Sequence, residues 1–225
     1  MTAVPARIRV WDLPTRIFHW ALAAAVVFSF TTGKVGGSWM AWHLKSGYVV
    51  LALLLFRLAW GIVGGHAARF ANFIRGPRAF LAHAGSVVSR TARATSGHNP
   101  MGGWMVVLML VILAAQAGTG LFSDDEIATT GPLVEKVSNA VVEKMSAFHY
   151  YNGWLVAAAV GLHVIAVAYY QAFLRIDLVR PMVRGWREGE ASQASLRMGS
   201  PLLAIVLVAV AWAMVYWLVV VYPKG

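Results

Sequence analysis

The stretch FHYYNGWLVAAAVGLHVIAVAYY, Phe148 to Tyr170, decides how the chain is read. It is apolar enough to span a bilayer, yet it carries two histidines, His149 and His163. Fourteen steps along a helix at 100° each return to within about 40° of the starting direction. Both imidazoles therefore lie on one stripe, separated by roughly 21 Å of rise. That is most of the way across a hydrocarbon core of about 30 Å. Ionisable side chains inside a span are costly and mark functional sites. Two on one stripe predict two sites, one above the other.

The chain around this stretch has 225 residues, 59% hydrophobic and 12% charged, with a mean hydropathy of +0.65. Soluble domains carry about 25% charged residues, so an integral membrane protein is expected, built as one bundle. There is no cysteine. This excludes disulfides, a cysteine-held iron–sulfur cluster and the attachment motif of a c-type haem. The formal net charge of +10 reads as membrane topology, not as nucleic-acid binding. No cleavable leader is expected, because Arg7, Arg9, Asp12 and Arg16 precede the first apolar run and Thr31–Gly36 makes a poor cleavage site.

Five spans are expected, at Ile17–Gly33, Trp39–Val63, Trp104–Phe122, Phe148–Leu174 and Leu202–Val221. Each must be helical, since lipid offers the backbone no hydrogen-bond partners. Tryptophans and tyrosines cluster at the span edges, as interfacial belts do. Trp212 and Trp217 lie inside the fifth span and are expected to face other helices. The fold class is all-α, an integral membrane bundle of five transmembrane helices, four of them enclosing the sites. All 14 arginines fall in the N-terminal segment, the Val63–Met101 loop, the Ile176–Ser200 loop or the helix ends beside them. All five lysines fall on the other side. Loops rich in basic residues face the cytoplasm, so the N-terminus is expected inside and the C-terminus outside. The Ser123–Ala147 loop, with Asp124, Asp125, Glu126, Glu135 and Glu143 against two lysines, is expected to be periplasmic. The segment Arg69–Arg90 has two readings, an interfacial amphipathic helix and a solvated basic loop.

Depth then sorts the histidines. His43 opens the second span and His149 the fourth, both outside. His19 and His163 lie towards the cytoplasm. The two depth-matched pairs, His43 with His149 and His19 with His163, form bis-imidazole ligand sets for haem iron across facing helices. Gly33, Gly47, Gly118, Gly120, Gly153 and Gly161 leave small surfaces for a porphyrin. Arg16 and Arg57, at the depth of the inner pair, suit haem propionates through their planar forks. The bland alternatives are hydrogen-bonding core histidines, packing glycines and a snorkelling Arg57. Zinc fits poorly, because it takes three or four ligands at one point. His66, His83 and His98 are expected to be surface histidines without a role.

At RIFHW (Arg16–Trp20), WHLKSGY (Trp42–Tyr48), FHYYNGWL (Phe148–Leu155) and GLHVIAVAYY (Gly161–Tyr170), closed by LVRPMVRG (Leu178–Gly185), the sequence resembles the bacterial di-haem cytochrome b561 family. The b-type subunits of membrane nickel–iron hydrogenases and formate dehydrogenases share the resemblance. It covers residues 8–185. It implies His19, His43, His149 and His163 as axial ligands of two haem b, and quinone as substrate or bound cofactor. In GHNPMGGW (Gly97–Trp104), Asn99 matches an asparagine beside the quinone pocket of the formate dehydrogenase relatives. Its other reading is a turn and helix cap. Residues 1–185 form the expected di-haem domain, and residues 186–225 a cytoplasmic connector with a fifth helix.

The expected function is transmembrane electron transfer between the quinone pool and a periplasmic redox partner, a c-type cytochrome or another redox subunit, docked on the acidic loop. A second copy of the chain is a further candidate partner, and nucleic acid is not one. Alternatives are a self-contained superoxide:quinone oxidoreductase of the bacterial inner membrane and, from another class, a non-redox scaffold or transporter.

Overall fold

The computed structural model describes residues 5–127, 129–190 and 196–224. Five helices are long and apolar enough to cross a membrane. They are α1 (Leu13–Val35), α2 (Met40–Val63), α5 (Pro100–Gly120), α6 (Asn139–Ala172) and α8 (Pro201–Tyr216), the last long enough only with the helical turns that continue it to Lys224. Between α2 and α5 lie α3 (Phe70–Phe73) and α4 (Pro77–Val88), and between α6 and α8 lies α7 (Val179–Arg184). The protein is an all-α membrane bundle, as expected. The helical reading of Arg69–Arg90 holds, with the helix broken at Ile74–Gly76 and restarted by Pro77 at the first position of α4, where proline's missing N–H costs nothing. The α6 helix begins at Asn139, well before the apolar stretch. Its 34 residues run about 51 Å, longer than the hydrocarbon core, so its first turns carry Glu143 and Lys144 outside the lipid.

A two-stranded ribbon was not expected. Strand β1 (Pro5–Arg9) pairs antiparallel with β2 (Trp186–Glu190), Arg9 opposite Trp186. The Arg7 guanidinium lies 4.3 Å over the Trp186 ring.

The chain divides into two compact units. The first comprises residues up to Phe18, Leu58–Leu108 and Gly161–Ala204. It holds every arginine except Arg57. The second comprises His19–Arg57, Met109–Val160 and the chain from Ile205 onward, and holds all five lysines. They are called here the arginine unit and the lysine unit.

The arginine unit is built on a buried knot at the start of α1. Asp12, buried, caps the helix by accepting a hydrogen bond from the Thr15 amide at 2.9 Å. Its other oxygen accepts from the Gly199 amide at 3.4 Å. The fully buried Trp60 donates its indole N–H to the Thr15 hydroxyl at 3.2 Å. Nearby, Val10, Trp11 and Ala67 pack with Met182 and Leu196. The Gly185 carbonyl accepts from the amides of Val10 and Trp11 at 2.9 and 3.1 Å. This ties the end of α7 to the N-terminal segment.

The lysine unit holds the acidic loop, which is folded rather than loose. Asp125 accepts from the amides of Ile127 and Thr129 at 3.0 and 2.8 Å. The Ser146 hydroxyl accepts from the Asp124 amide at 2.9 Å. The Leu133 amide donates to the Leu121 carbonyl at 2.9 Å, pinning the loop to the end of α5. Trp212 and Trp217 are 44% and 54% exposed, and the Trp217 ring lies 5.4 Å from that of Tyr222.

Candidate functional site

The lysine unit contains a cavity of about 330 Å³ lined by His43, His149, Gly33, Gly47, Gly120 and Gly153. Apolar walls come from Leu44, Leu51, Leu113 and Val156. Its size lies within the usual range of small-molecule sites. The two imidazoles meet there, with ring centroids 5.9 Å apart and ring planes at 85°. The depth match made from sequence is met for this pair.

Hydrogen bonds set the tautomer of each ring. His43 Nδ1 donates to the Ser29 carbonyl at 2.8 Å. His149 Nδ1 donates to the Gln116 carbonyl at 2.9 Å. A carbonyl can only accept, so each Nδ1 carries the proton and each Nε2 keeps its lone pair. A second-shell carbonyl in this position is what fixes a metal-ligating histidine. The Gln116 amide donates to the His149 Nε2 lone pair at 3.1 Å. Asn152, buried, holds Gln116 by donating to its side-chain oxygen at 2.8 Å and also donates to the Ile112 carbonyl at 2.9 Å. Ser29, Gln116 and Asn152 have no signal in the sequence, because each acts on a residue from another helix.

The donor set fits a haem iron. Two imidazoles on one metal, through bonds of about 2 Å, have ring centroids roughly 6 Å apart. Among the described residues no three His, Asp or Glu side chains gather as a metal site, and a haem iron asks the protein for no more than two axial donors. The glycines supply the cradle. A Cβ on Gly33 would lie 2.8 Å from His43 Nδ1, and one on Gly120 would lie 2.9 Å from His149 Cε1. A Cβ on Gly47 would meet nothing within 4 Å, and one on Gly153 only the Gln116 amide nitrogen at 3.6 Å. Gly118 and Gly161 are not among the cavity's described lining.

The other expected pair is divided between the units. His19 belongs to the lysine unit, its ring edge-on to Trp20 at 4.9 Å. His163 belongs to the arginine unit, half-buried on α6. Arg57 is buried, at 3% exposure, and so does not snorkel. Arg16 donates Nη1 to the Val183 carbonyl at 2.5 Å. Its Nε is buried with no hydrogen-bond partner among the described residues.

Asn99 is a helix cap. Its side-chain oxygen accepts from the Gly102 amide at 2.7 Å, at the start of α5. It also hydrogen-bonds to Tyr170. His83 Nε2 hydrogen-bonds to the Tyr170 hydroxyl at 2.8 Å, and Tyr170 is buried. His83 is therefore not an idle surface histidine. Nor is His98, whose ring lies 4.7 Å from that of Trp11 and 4.3 Å from that of Phe73. Both were misjudged because their partners are far away in sequence. His66 is exposed, as expected.

Burial lowers the pKa of His83. The folded chain thus favours its neutral ring, and the unfolded chain binds the proton more readily. Stability from this group is present above about pH 6.5 and is lost as pH falls below it. Melting curves between pH 8 and pH 5 are expected to fall less for His83→Gln than for the wild type. Parallel curves would mean that the ring titrates freely.

A family model described as prokaryotic cytochrome b561 matches residues 10–185. The chain is similar to the probable Ni/Fe-hydrogenase B-type cytochrome subunit of Azotobacter chroococcum mcd 1, with 24% identity over 80% of this chain and 88% of that one. The like-named protein of Cupriavidus necator is 24% identical over 79% and 86%. That of Rhizobium leguminosarum bv. viciae is 22% identical over 80% and 88%. No solved structure matches. With the family model covering most of its length and five helices able to cross a membrane, the chain belongs to the prokaryotic cytochrome b561 family.

Proposed function

We propose that the protein is a di-haem electron carrier between quinone on its arginine side and a redox partner on its lysine side. Family membership brings membrane electron transfer and haem b; the two sites and both partners are our reading. The observation that carries it is the His43–His149 pair, both rings oriented by backbone carbonyls inside one glycine-walled cavity. Haem bound there would supply a one-electron couple. His43 and His149 would hold one iron through Nε2, with the Gln116 amide giving up its hydrogen bond to His149, and His19 and His163 would hold the second. Gly33 and Gly120 make room for the two imidazoles, and Gly47 leaves open space beside them. The apolar wall keeps water from the ring faces. Arg57, buried in α2, suits an inner propionate, and Arg16 with its buried Nε is the second candidate.

The positive-inside rule supports a cytoplasmic position for the arginine-bearing loops and a periplasmic C-terminus. The folded acidic loop, with Asp124 and Asp125 at the cavity, offers a negative docking face to a basic c-type cytochrome or another redox subunit. The names of the relatives favour a hydrogenase-like partner. The same carboxylates repel a small anion, which places a self-contained superoxide:quinone oxidoreductase second. The test is the haem content and optical spectrum of the purified protein, followed by reduction with a short-chain quinol or with superoxide. Two haems per chain, reduced by quinol, are expected. One haem, or reduction by superoxide alone, would reject the reading.

Asn99 has two roles to separate. Asn99→Ala removes the α5 cap, at a cost of about 1 kcal/mol. Asn99→Ser keeps a capping oxygen but loses the amide. If Asn99 meets quinone, Asn99→Ser is expected to slow haem reduction by quinol about tenfold at an unchanged melting temperature. Equal rates for Asn99→Ser and wild type, with only Asn99→Ala destabilised, would leave it a cap alone.

A further inference from the structure

The outer cavity has a cation that the ligand set does not use. Lys34 is the only lysine or arginine among its described lining residues. It follows Gly33 on α1, where the glycine faces His43 and Lys34 is exposed. Its ammonium lies 4.1 Å over the Trp154 ring, 4.9 Å over Tyr150 and 5.6 Å over Phe30. Phe30 is one helical turn before it and supports it from the same face. Although Asp124 and Asp125 line the same cavity, the contacts given for the Lys34 ammonium among the described residues are with the three rings. Both aspartates have side-chain oxygens engaged by loop amides. Three rings fix the ammonium in place, and its three donors remain available for an anionic oxygen.

We propose that Lys34 is the seat of a carboxylate of the tetrapyrrole bound between His43 and His149. The proposal rests on the haem reading above. A carboxylate brought to this largely apolar cavity needs a cation beside it. Lys34 meets that need and partly offsets the two aspartates. A nearby positive charge also favours the reduced form of a redox centre, so Lys34 holds the potential of this site up. A dissolved anion would use the same ammonium, and ionic strength separates the two sources.

The test is a potentiometric titration of the purified holoprotein, followed in the haem absorbance band. Lys34→Gln is expected to lower the midpoint of one of the two haems by a tenfold change in its reduction equilibrium, or 59 mV for one electron. The shift should persist at high salt, and Lys34→Arg should restore it. Lys45→Gln is the control. Lys45 also sits over a ring, 4.6 Å from that of Trp42, but does not line the cavity, and both midpoints should stay put. Unchanged midpoints in Lys34→Gln, an equal shift in Lys45→Gln, or a shift abolished by salt would each overturn the assignment. A wild type without haem would instead sink the haem reading itself.

Discussion

His149→Ala is expected to halve the haem bound per chain while leaving the helical fold in place. The His149 ring faces His43 at a centroid distance of 5.9 Å and is oriented by the Gln116 carbonyl. On the proposed ligand set, its removal would leave that haem with one histidine and weaken its binding. The pairing gives a sharper form of the result. His43→Ala should remove the same haem, so the double variant His43→Ala/His149→Ala should lose no more than either single one. His149→Ala combined with His163→Ala should lose both haems. Pyridine haemochrome assay against protein concentration measures each ratio. Should His43→Ala and His149→Ala together strip both haems while each alone strips one, the two residues serve different sites and the pairing fails.

Gly65→Ala is expected to destabilise the arginine unit strongly. A Cβ there would lie 2.2 Å from Asp12 Oδ2 and 2.8 Å from the Gly199 amide nitrogen. The second neighbour is backbone and cannot swing aside. The first is the buried carboxylate that caps α1. Relieving the clash means moving that cap or the chain before α8. Overpacking of this kind costs about 1–3 kcal/mol, and losing the cap adds about 1 kcal/mol. Gly85→Ala is the matched contrast. A Cβ at Gly85 meets nothing within 4 Å, and the residue is in the interior of α4. Its replacement should stabilise α4 by about 0.5–1 kcal/mol. Thermal unfolding in detergent, followed by circular dichroism, is expected to move in opposite directions for the two variants. A Gly65→Ala protein as stable as wild type would show that the Asp12–Gly199 contact is not close in solution.

Quinone handling at Asn99 illustrates how far sequence reading reached. The motif offered a quinone contact and a helix cap. The structure assigns the cap through the Gly102 amide and adds the Tyr170 and His83 contacts, which join α5, α6 and α4. No spacing rule announces that network, because its members come from three separate helices.

The sequence by itself determined the membrane class, the five helices, the charge asymmetry and the four intramembrane histidines. These follow from local quantities: apolar run length, helical periodicity and the cost of placing an imidazole in lipid. The same quantities gave no sign of the turns of α6 before Phe148 or of the partners of His83 and His98. Only the tertiary structure decided which atoms meet. It brought His43 to His149 and set both tautomers through Ser29 and Gln116. It turned Gly33 and Gly120 against the rings, and it set Lys34 in its aromatic seat at the cavity. Such contacts depend on how one helix is rotated against another, and rotation about a helix axis leaves hydropathy and spacing unchanged.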